Sequence, residues 1–197
     1  MLNPSLWVIG AEGDKEDDTM QTRTEKGGKN SEGPIGTGLV IERRFTTVGE
    51  DPFDQFDWIE MDVEIRNADG SLAHRIDDVR LPSGFSGVAG KVLAQKYLRK
   101  AGVPAILRKV KEKGVPTWLQ RSEPDHEKLQ SLDPEKRFIG ESHGRELFRR
   151  LAGTWTYWGW KHGYFEAEAD ARAYFDEMCY LIASQRSAPN SPQWFNT

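Results

Sequence analysis

The 197-residue sequence contains a single cysteine, Cys179, and this scarcity limits its chemistry. One thiol excludes an internal disulfide framework and any zinc site built from several thiolates. A reactive thiol needs exposure and a positive neighbour, whereas the charges nearest to Cys179 in sequence are the acidic Asp176 and Glu177. Because free cysteines are among the most buried residues, we expect Cys179 to pack inside the protein.

The sequence also lacks an excess of basic residues and a long apolar run. Its 27 Lys and Arg oppose 31 Asp and Glu, for a net charge of −4. Proteins that bind duplex nucleic acid usually concentrate a basic excess on one face, so we expect no nucleic-acid partner. The first ten residues, MLNPSLWVIG, have no basic n-region. We therefore predict no signal peptide, no membrane span and a cytoplasmic location.

Motifs for metal and phosphate binding are missing as well. No two histidines stand at i,i+4 with a glutamate between them, so we predict no metal ligands here; the histidines are His74, His126, His143 and His162. His162 lies on an apolar helical stripe and is interpreted as a core or helix-end histidine. The glycine cluster GPIGTG at 33–38 lacks the GK[ST] ending of a phosphate loop. Flexible chain is the favoured interpretation.

The first part of the chain indicates a tail followed by a β-hairpin. Residues 11–37 hold few large apolar side chains, and the segment 1–38 is predicted to be mobile. The run 39–45 predicts a short strand. The runs 58–66 and 71–81 alternate apolar and polar positions on either side of a polar turn that ends in glycine, which predicts a hairpin.

The middle of the chain indicates one helix and a connector. Apolar residues recur at three- and four-residue steps over 84–102, with Ser86 as the candidate N-cap. Residues 108–137 are charge-rich and contain three prolines. We predict a solvated connector there, with a short turn around Trp118 and Leu119.

The last part predicts a helical hairpin. One helix is capped by Ser142 and runs to about Lys161, with Gly163 at the C′ position. A second runs over about 168–186, and the short link favours an antiparallel pair. Residues 191–197 are predicted to be extended. The chain is thus divided into a mobile segment (1–38), a hairpin plus helix (39–107), a charged connector (108–137), and a helical hairpin with the start of a strand (138–197).

Aromatic residues are concentrated at 153–165, where GTWTYWGWKHGYF holds three Trp, two Tyr and one Phe. One interpretation is a platform on which nucleic-acid bases stack. The other is an aromatic core between two helices, and the helical spacing favours it.

The segment SAPNSPQWFNT (187–197) combines a turn with aromatic residues. Asn190 or Ser191 before Pro192 suits a tight turn, because their side chains bond nearby backbone N–H groups. Chemistry alone leaves two roles open for this serine, turn former and ligand contact. Free termini are usually polar, so the aromatic end suggests that further chain follows.

Four segments carry a resemblance to a known family. The runs 45–70, 91–102, 151–165 and 187–197 are similar to the N-terminal region of class II, vitamin B12-dependent ribonucleotide reductases. NSPQWFNT is the most specific of these motifs. The resemblance covers about 39–197 and is weakest through 108–137.

The resemblance implies an α+β fold: a mostly helical N-terminal cap with a β-hairpin, leading into a ten-stranded α/β barrel beyond the chain end. It implies an enzyme that converts ribonucleotides to deoxyribonucleotides through a thiyl radical initiated by adenosylcobalamin. The implied partners are a ribonucleotide, the barrel domain, and a dithiol reductant such as thioredoxin; a homodimer is one assembly it allows. No ATP-cone domain is recognised.

The resemblance carries over one site residue, Ser191, as a contact to the nucleotide substrate. The radical cysteine, the reducing cysteine pair and the cobalamin contacts of the family lie beyond Thr197, so no catalytic residue is expected in this span and it is expected to be inactive alone. Whether the substrate is a di- or triphosphate stays open. The alternative is a stand-alone, non-enzymatic helical module whose aromatic cluster binds a peptide or nucleic-acid strand.

Overall fold

The computed structural model describes residues 38–85 and 87–197. The predicted mobile segment, apart from Gly38, lies outside these ranges, and so does the N-cap expected at Ser86. Predictions for those residues therefore stay predictions.

Short strands and five helices make up the described part of the chain. The strands are β1 (Trp58–Arg66), β2 (Leu72–Pro82), β3 (Val103–Pro104), β4 (Leu107–Lys109), β5 (Ser122–Pro124) and β6 (Phe138–Ile139). The helices are α1 (Val88–Tyr97), α2 (His126–Gln130), α3 (Gly144–Lys161), α4 (Glu168–Ala183) and α5 (Ser191–Asn196). Single turns of 3₁₀ helix lie at Pro52–Gln55, Ser83–Phe85, Thr117–Leu119 and Pro134–Lys136.

The predicted β-hairpin is confirmed. Strands β1 and β2 pair antiparallel, with Trp58 opposite Pro82 and Arg66 opposite Leu72. Gly70 has a φ of 85°, which glycine adopts without a steric penalty, and it closes the turn. The register shifts between Met61 and Val63. A bulge of this kind strengthens the local twist of the two-stranded sheet.

Helix α1 is shorter than the predicted range of 84–102. It begins at Val88, after the 3₁₀ turn Ser83–Phe85 and after Gly87, whose φ of 62° is not helical. It ends at Tyr97 because Leu98 is extended and fully enclosed in the core. The burial of Leu98 outweighs the helical propensity of the residues that follow.

The segment 39–45 is not the predicted strand. Its one strand-like contact is an isolated bridge between Leu39 and Phe165. Instead of pairing with a neighbouring strand, its backbone N–H groups donate to carboxylates of α4: that of Ile41 to Asp170 at 2.9 Å and that of Phe45 to Glu177 at 3.0 Å. These side-chain carboxylates satisfy the backbone N–H groups that would otherwise pair with a neighbouring strand.

The charge-rich segment 108–137 has more structure than a solvated connector. The predicted turn around Trp118 and Leu119 is confirmed as the 3₁₀ turn Thr117–Leu119. The prediction of a solvated connector is wrong for part of the segment, because three of its apolar side chains are buried. They are Val115, Leu119 and Leu129. Strand β4 pairs with β5, and β3 pairs with β6.

Helices α3 and α4 form the predicted helical hairpin, joined by the short link 162–167. Gly163 has a φ of 69° and occupies the C′ position as expected. The second helix ends at Ala183, earlier than the predicted Arg186. The main core lies between this pair, the β-hairpin and α1; its fully enclosed apolar side chains include Phe53, Val63, Val79, Leu81, Leu147, Phe148 and Leu151.

The final segment is helical rather than extended, so the prediction for 191–197 is wrong. Residues Ser191–Asn196 form α5, with the extended Asn190 (φ −69°, ψ 161°) as N-cap and a proline in the first turn. Proline is tolerated in the first turn because the N–H it lacks has no helical partner there. The buried side chain of Trp194 holds the helix against the core. Small sheets and several helices together confirm the α+β class.

Candidate functional site

Ser191 is the first residue of α5, and it is exposed. A residue before proline usually avoids helical geometry, which is why an extended conformation was expected. The extended residue is Asn190 instead, one position earlier. The Ser191 hydroxyl therefore stands at the start of a short helix, next to Pro192.

The hydroxyl of Tyr97, the last residue of α1, lies 3.1 Å from Ser191 Oγ. The Tyr97 ring stacks on Trp194, with centroids 5.0 Å apart and an angle of 19° between the planes. It also contacts Phe195 at 5.2 Å in a tilted arrangement. One aromatic residue from α1 thus contacts both the first turn and the last turn of α5.

A buried ion pair lies behind these rings. Arg150 is 2% exposed and Glu141 is 3% exposed. The guanidinium donates to both carboxylate oxygens of Glu141 at 3.0 Å, a bidentate geometry. Its remaining donors reach backbone carbonyls of Tyr97 at 3.2 Å and of Thr197 at 2.9 Å. We call Arg150, Glu141 and these bonded carbonyls the Arg150 cluster.

The Arg150 cluster is completed by Arg99. The backbone N–H of Arg99 donates to Glu141 at 2.8 Å. Its own guanidinium is partly buried beside that of Arg150, and both burial and the neighbouring positive charge lower the pKa of Arg99. Through the Arg150 side chain, the cluster joins the second turn of α3 to the backbone at the ends of α1 and α5, so it fixes their relative positions.

Helix α3 begins with a histidine cap that sequence reasoning assigned to Ser142. His143 is the N-cap: its Nδ1 accepts the Arg145 N–H at 3.1 Å, and Glu146 accepts the His143 N–H at 3.2 Å. Burial first, and then the positive charges of Arg145, Arg80 and Arg149, lower the pKa of His143 to about 4. The spacing His-x-x-Glu of a capping box was the signal that would have found it.

Cys179 is fully buried, as predicted. Removal from solvent raises the pKa of its thiol well above the ordinary value, because burial penalises the thiolate. The nearby Arg149 opposes this shift, and the acidic Asp176 and Asp51 add to it. A protonated, enclosed thiol is not available as a nucleophile or ligand.

The aromatic cluster at 153–165 divides between core and surface. Trp155 is partly buried, whereas Trp158 is 48% and Tyr164 is 60% exposed. These side chains line an apolar cavity of about 520 Å³. The remaining lining residues are Leu39, Ile41, Gly159, His162, Phe165 and Tyr174. The prediction of an aromatic core holds for only part of the cluster, because Trp158 and Tyr164 are exposed. His162 is the C-cap of α3, so its interpretation as a helix-end histidine is confirmed.

The described residues lack both a metal-binding cluster and a membrane-spanning helix. Within 38–85 and 87–197, no three His, Cys, Asp or Glu side chains lie together as metal ligands would. Over the same ranges, no helix has the length and hydropathy needed to cross a membrane.

The fold and the Arg150 cluster describe a protein of the α+β class. Comparison with known proteins identifies its family. The family model of class II vitamin B12-dependent ribonucleotide reductases matches residues 60–185. The vitamin B12-dependent ribonucleotide reductase of Bradyrhizobium diazoefficiens is 53% identical over 159 residues, covering 81% of this chain and 13% of that protein. That of Agrobacterium fabrum is 52% identical, covering 81% and 12%. That of Streptomyces avermitilis is 30% identical, covering 86% and 14%.

The chain belongs to the class II vitamin B12-dependent ribonucleotide reductase family, in its N-terminal region. It spans about one eighth of the length of the curated relatives it matches. Family membership does not favour the alternative of a stand-alone binding module.

Vitamin B12 dependence implies a cobalamin cofactor, and the described residues are a poor fit for its chemistry. The single thiol is enclosed, and no cluster of potential metal ligands exists between 38 and 85 or between 87 and 197. His143 already uses its Nδ1 to cap a helix.

Proposed function

We propose that the protein is the N-terminal part of a cytoplasmic enzyme that reduces ribonucleotides to deoxyribonucleotides with adenosylcobalamin. In this reaction the 2′ hydroxyl leaves as water, a hydrogen replaces it, and two cysteine thiols are oxidised to a disulfide. The cofactor supplies the radical that starts the reaction. The match of the family model over residues 60–185 carries this proposal.

Within that enzyme, this chain supplies a cap and one wall of the substrate pocket. Ser191 is the residue that contacts the nucleotide. Three observations support this role: the hydroxyl is exposed at the start of α5, it is held by Tyr97, and the Arg150 cluster fixes the helix that carries it. A hydroxyl on a fixed element is a better ligand than one on a mobile loop, because less entropy is lost on binding.

The partners of this chain follow from the same proposal. They are the remainder of the reductase, with its barrel domain, the ribonucleotide, and a dithiol reductant such as thioredoxin. A homodimer is one assembly that this proposal allows. The reacting cysteines and the cobalamin contacts lie in the remainder, because the only thiol here is buried.

Replacement of Ser191 by alanine in the full-length reductase tests the substrate contact. One lost hydrogen bond is worth about 0.5–1.5 kcal/mol, or up to about 3 kcal/mol to a charged oxygen. We therefore expect the KM for ribonucleotide to rise by a few-fold to about a hundred-fold, with a smaller change in kcat.

Ser131→Ala is a matched control, because the Ser131 hydroxyl donates to the Lys128 carbonyl at the end of α2 and not to α5. That variant should leave the KM unchanged. If Ser191→Ala lowers the melting temperature while the KM stays at the wild-type value, Ser191 is only a turn former and the contact is disproved.

The 197-residue chain alone should form no deoxynucleotide. Incubation with adenosylcobalamin, ribonucleotide and a dithiol reductant tests this, because turnover consumes two thiols and the chain has one. Deoxynucleotide formed by this chain alone would contradict the assignment of the reacting cysteines to the rest of the enzyme.

A further inference from the structure

The hydroxyl of Tyr97 lies within hydrogen-bond distance of the Ser191 hydroxyl, at 3.1 Å. We infer that Tyr97 is a positioning residue for nucleotide binding: it holds the Ser191 hydroxyl in the orientation that donates to an acceptor oxygen of the nucleotide. This inference rests on the proposed function, because it presumes that Ser191 contacts substrate.

The position of the Tyr97 hydroxyl is determined by three sets of contacts. The Tyr97 ring stacks on Trp194 and contacts Phe195, so it cannot rotate freely. Its backbone carbonyl accepts a hydrogen bond from the buried Arg150. The same arginine bonds the carbonyl of Thr197, at the far end of α5. Both partners of the hydroxyl pair are therefore anchored to one buried group.

The hydrogens of the two hydroxyls determine what the pair can bind. Each hydroxyl has one proton and can accept, and one proton is used between the two oxygens. One O–H is left to donate outward. When Tyr97 donates to Ser191, the Ser191 proton is the free one, and its bond to an acceptor is strengthened by the chain of hydrogen bonds. A phosphate or sugar oxygen of a nucleotide is the matching acceptor.

Packing accounts for the ring of Tyr97 but not for its hydroxyl. Phenylalanine would keep the contacts to Trp194 and Phe195 and would lose only the bond to Ser191. A purely structural Tyr97 therefore tolerates Tyr97→Phe without a change in substrate affinity, and a positioning Tyr97 does not.

The test compares wild-type full-length reductase with Tyr97→Phe, Ser191→Ala and the double variant. KM and kcat for the ribonucleotide and the melting temperature are measured for each. We expect Tyr97→Phe to raise the KM by about two- to tenfold with kcat nearly unchanged, since one neutral hydrogen bond is lost. The KM of the double variant should be no higher than that of Ser191→Ala alone, because Tyr97 acts through the Ser191 hydroxyl.

Tyr157→Phe is the matched control, since it removes a phenol that donates to Glu112 at 2.7 Å and not to α5. Its KM should equal that of the wild type. If Ser191→Ala raises the KM and Tyr97→Phe does not, or if the two effects multiply in the double variant, the positioning role is overturned and the proposed contact stands. If Ser191→Ala leaves the KM unchanged, the proposed contact fails and the inference fails with it.

Discussion

The two ends of helix α3 differ in how completely the protein encloses them. In the N-terminal half, Leu147, Phe148 and Leu151 have no exposed surface, and Arg150 is 2% exposed. At the C-terminal end, Trp158 is half exposed beside an apolar cavity of about 520 Å³. The same helix is thus part of a closed core at one end and the wall of an open cavity at the other.

On the proposal that Ser191 contacts the nucleotide, it is the enclosed end, and not the aromatic end, that holds the functional group in place. Arg150 bonds the backbone carbonyl of Tyr97, whose hydroxyl contacts that of Ser191, and the carbonyl of Thr197, which follows the helix that Ser191 begins. The aromatic end has more exposed ring surface, and its polar contacts reach other partners: Tyr157 donates to Glu112 at 2.7 Å and Trp160 to the Gly114 carbonyl at 2.6 Å.

The largest expected effect comes from breaking the enclosed end with Arg150→Met. Glu141 then remains buried without its bidentate partner, and the bonded carbonyls lose their donor. Removing one partner of a buried ion pair costs about 3–5 kcal/mol. Urea denaturation of the 197-residue chain should show this loss in the free energy of unfolding.

An exposed pair provides the control for that variant. Lys136 and Asp133 are joined at 3.0 Å with both side chains mostly in solvent. Asp133→Asn should cost less than about 0.5 kcal/mol, as surface pairs usually do. Equal effects of the two substitutions would contradict a structural role for the Arg150 cluster.

The elements around the enclosed end differ in how well the sequence predicts them. The β-hairpin and the α3–α4 pair were predictable because alternation and helical spacing are local patterns. Helix α5 was not, because it depends on Tyr97 and Arg150, which lie far away in sequence. The Tyr97–Ser191 contact spans 94 positions. Only the resemblance of NSPQWFNT to a family pointed to Ser191, and no local pattern pointed to its partner.

The second expected effect is a pH dependence at the start of the enclosed end. The folded pKa of His143 is about 4, below its ordinary value of 6.5. Between these values the unfolded state binds more protons, so stability falls as the pH is lowered from about 6.5 to about 4. Because His143 is half-buried, solvent screening reduces the full effect of the shift to about 2 kcal/mol.

His143→Asn isolates this contribution, because asparagine is a good N-cap and does not titrate. Urea denaturation at several pH values should show that the free energy of unfolding falls less for the variant than for the wild type between about pH 6.5 and about pH 4. Parallel pH profiles for the two proteins would show that His143 does not titrate with a lowered pKa in the folded state.

The third prediction tests the packing of the aromatic end. A Cβ at Gly159 would lie 2.7 Å from the ring of Phe165. Overpacking costs about 1–3 kcal/mol. The higher helix propensity of alanine over glycine offsets about 1 kcal/mol of that cost. We expect Gly159→Ala to lower the free energy of unfolding by about 1 kcal/mol. Phe165→Leu in the same chain should reduce that penalty, and a fully additive double variant would argue against the contact.

The smallest expected effect on stability is at Cys179, which is enclosed near Arg149 and the first half of α3. Cys179→Ala removes one buried atom and should cost about 1 kcal/mol or less. Labelling is the sharper readout, because burial raises the pKa of the thiol and keeps it protonated. A thiol reagent should react slowly with the native chain and rapidly in denaturant, and Arg150→Met should increase the native rate if it loosens the enclosed end. Rapid labelling of the native wild-type chain would contradict the enclosed position of Cys179 and, with it, the contrast between the two ends of α3.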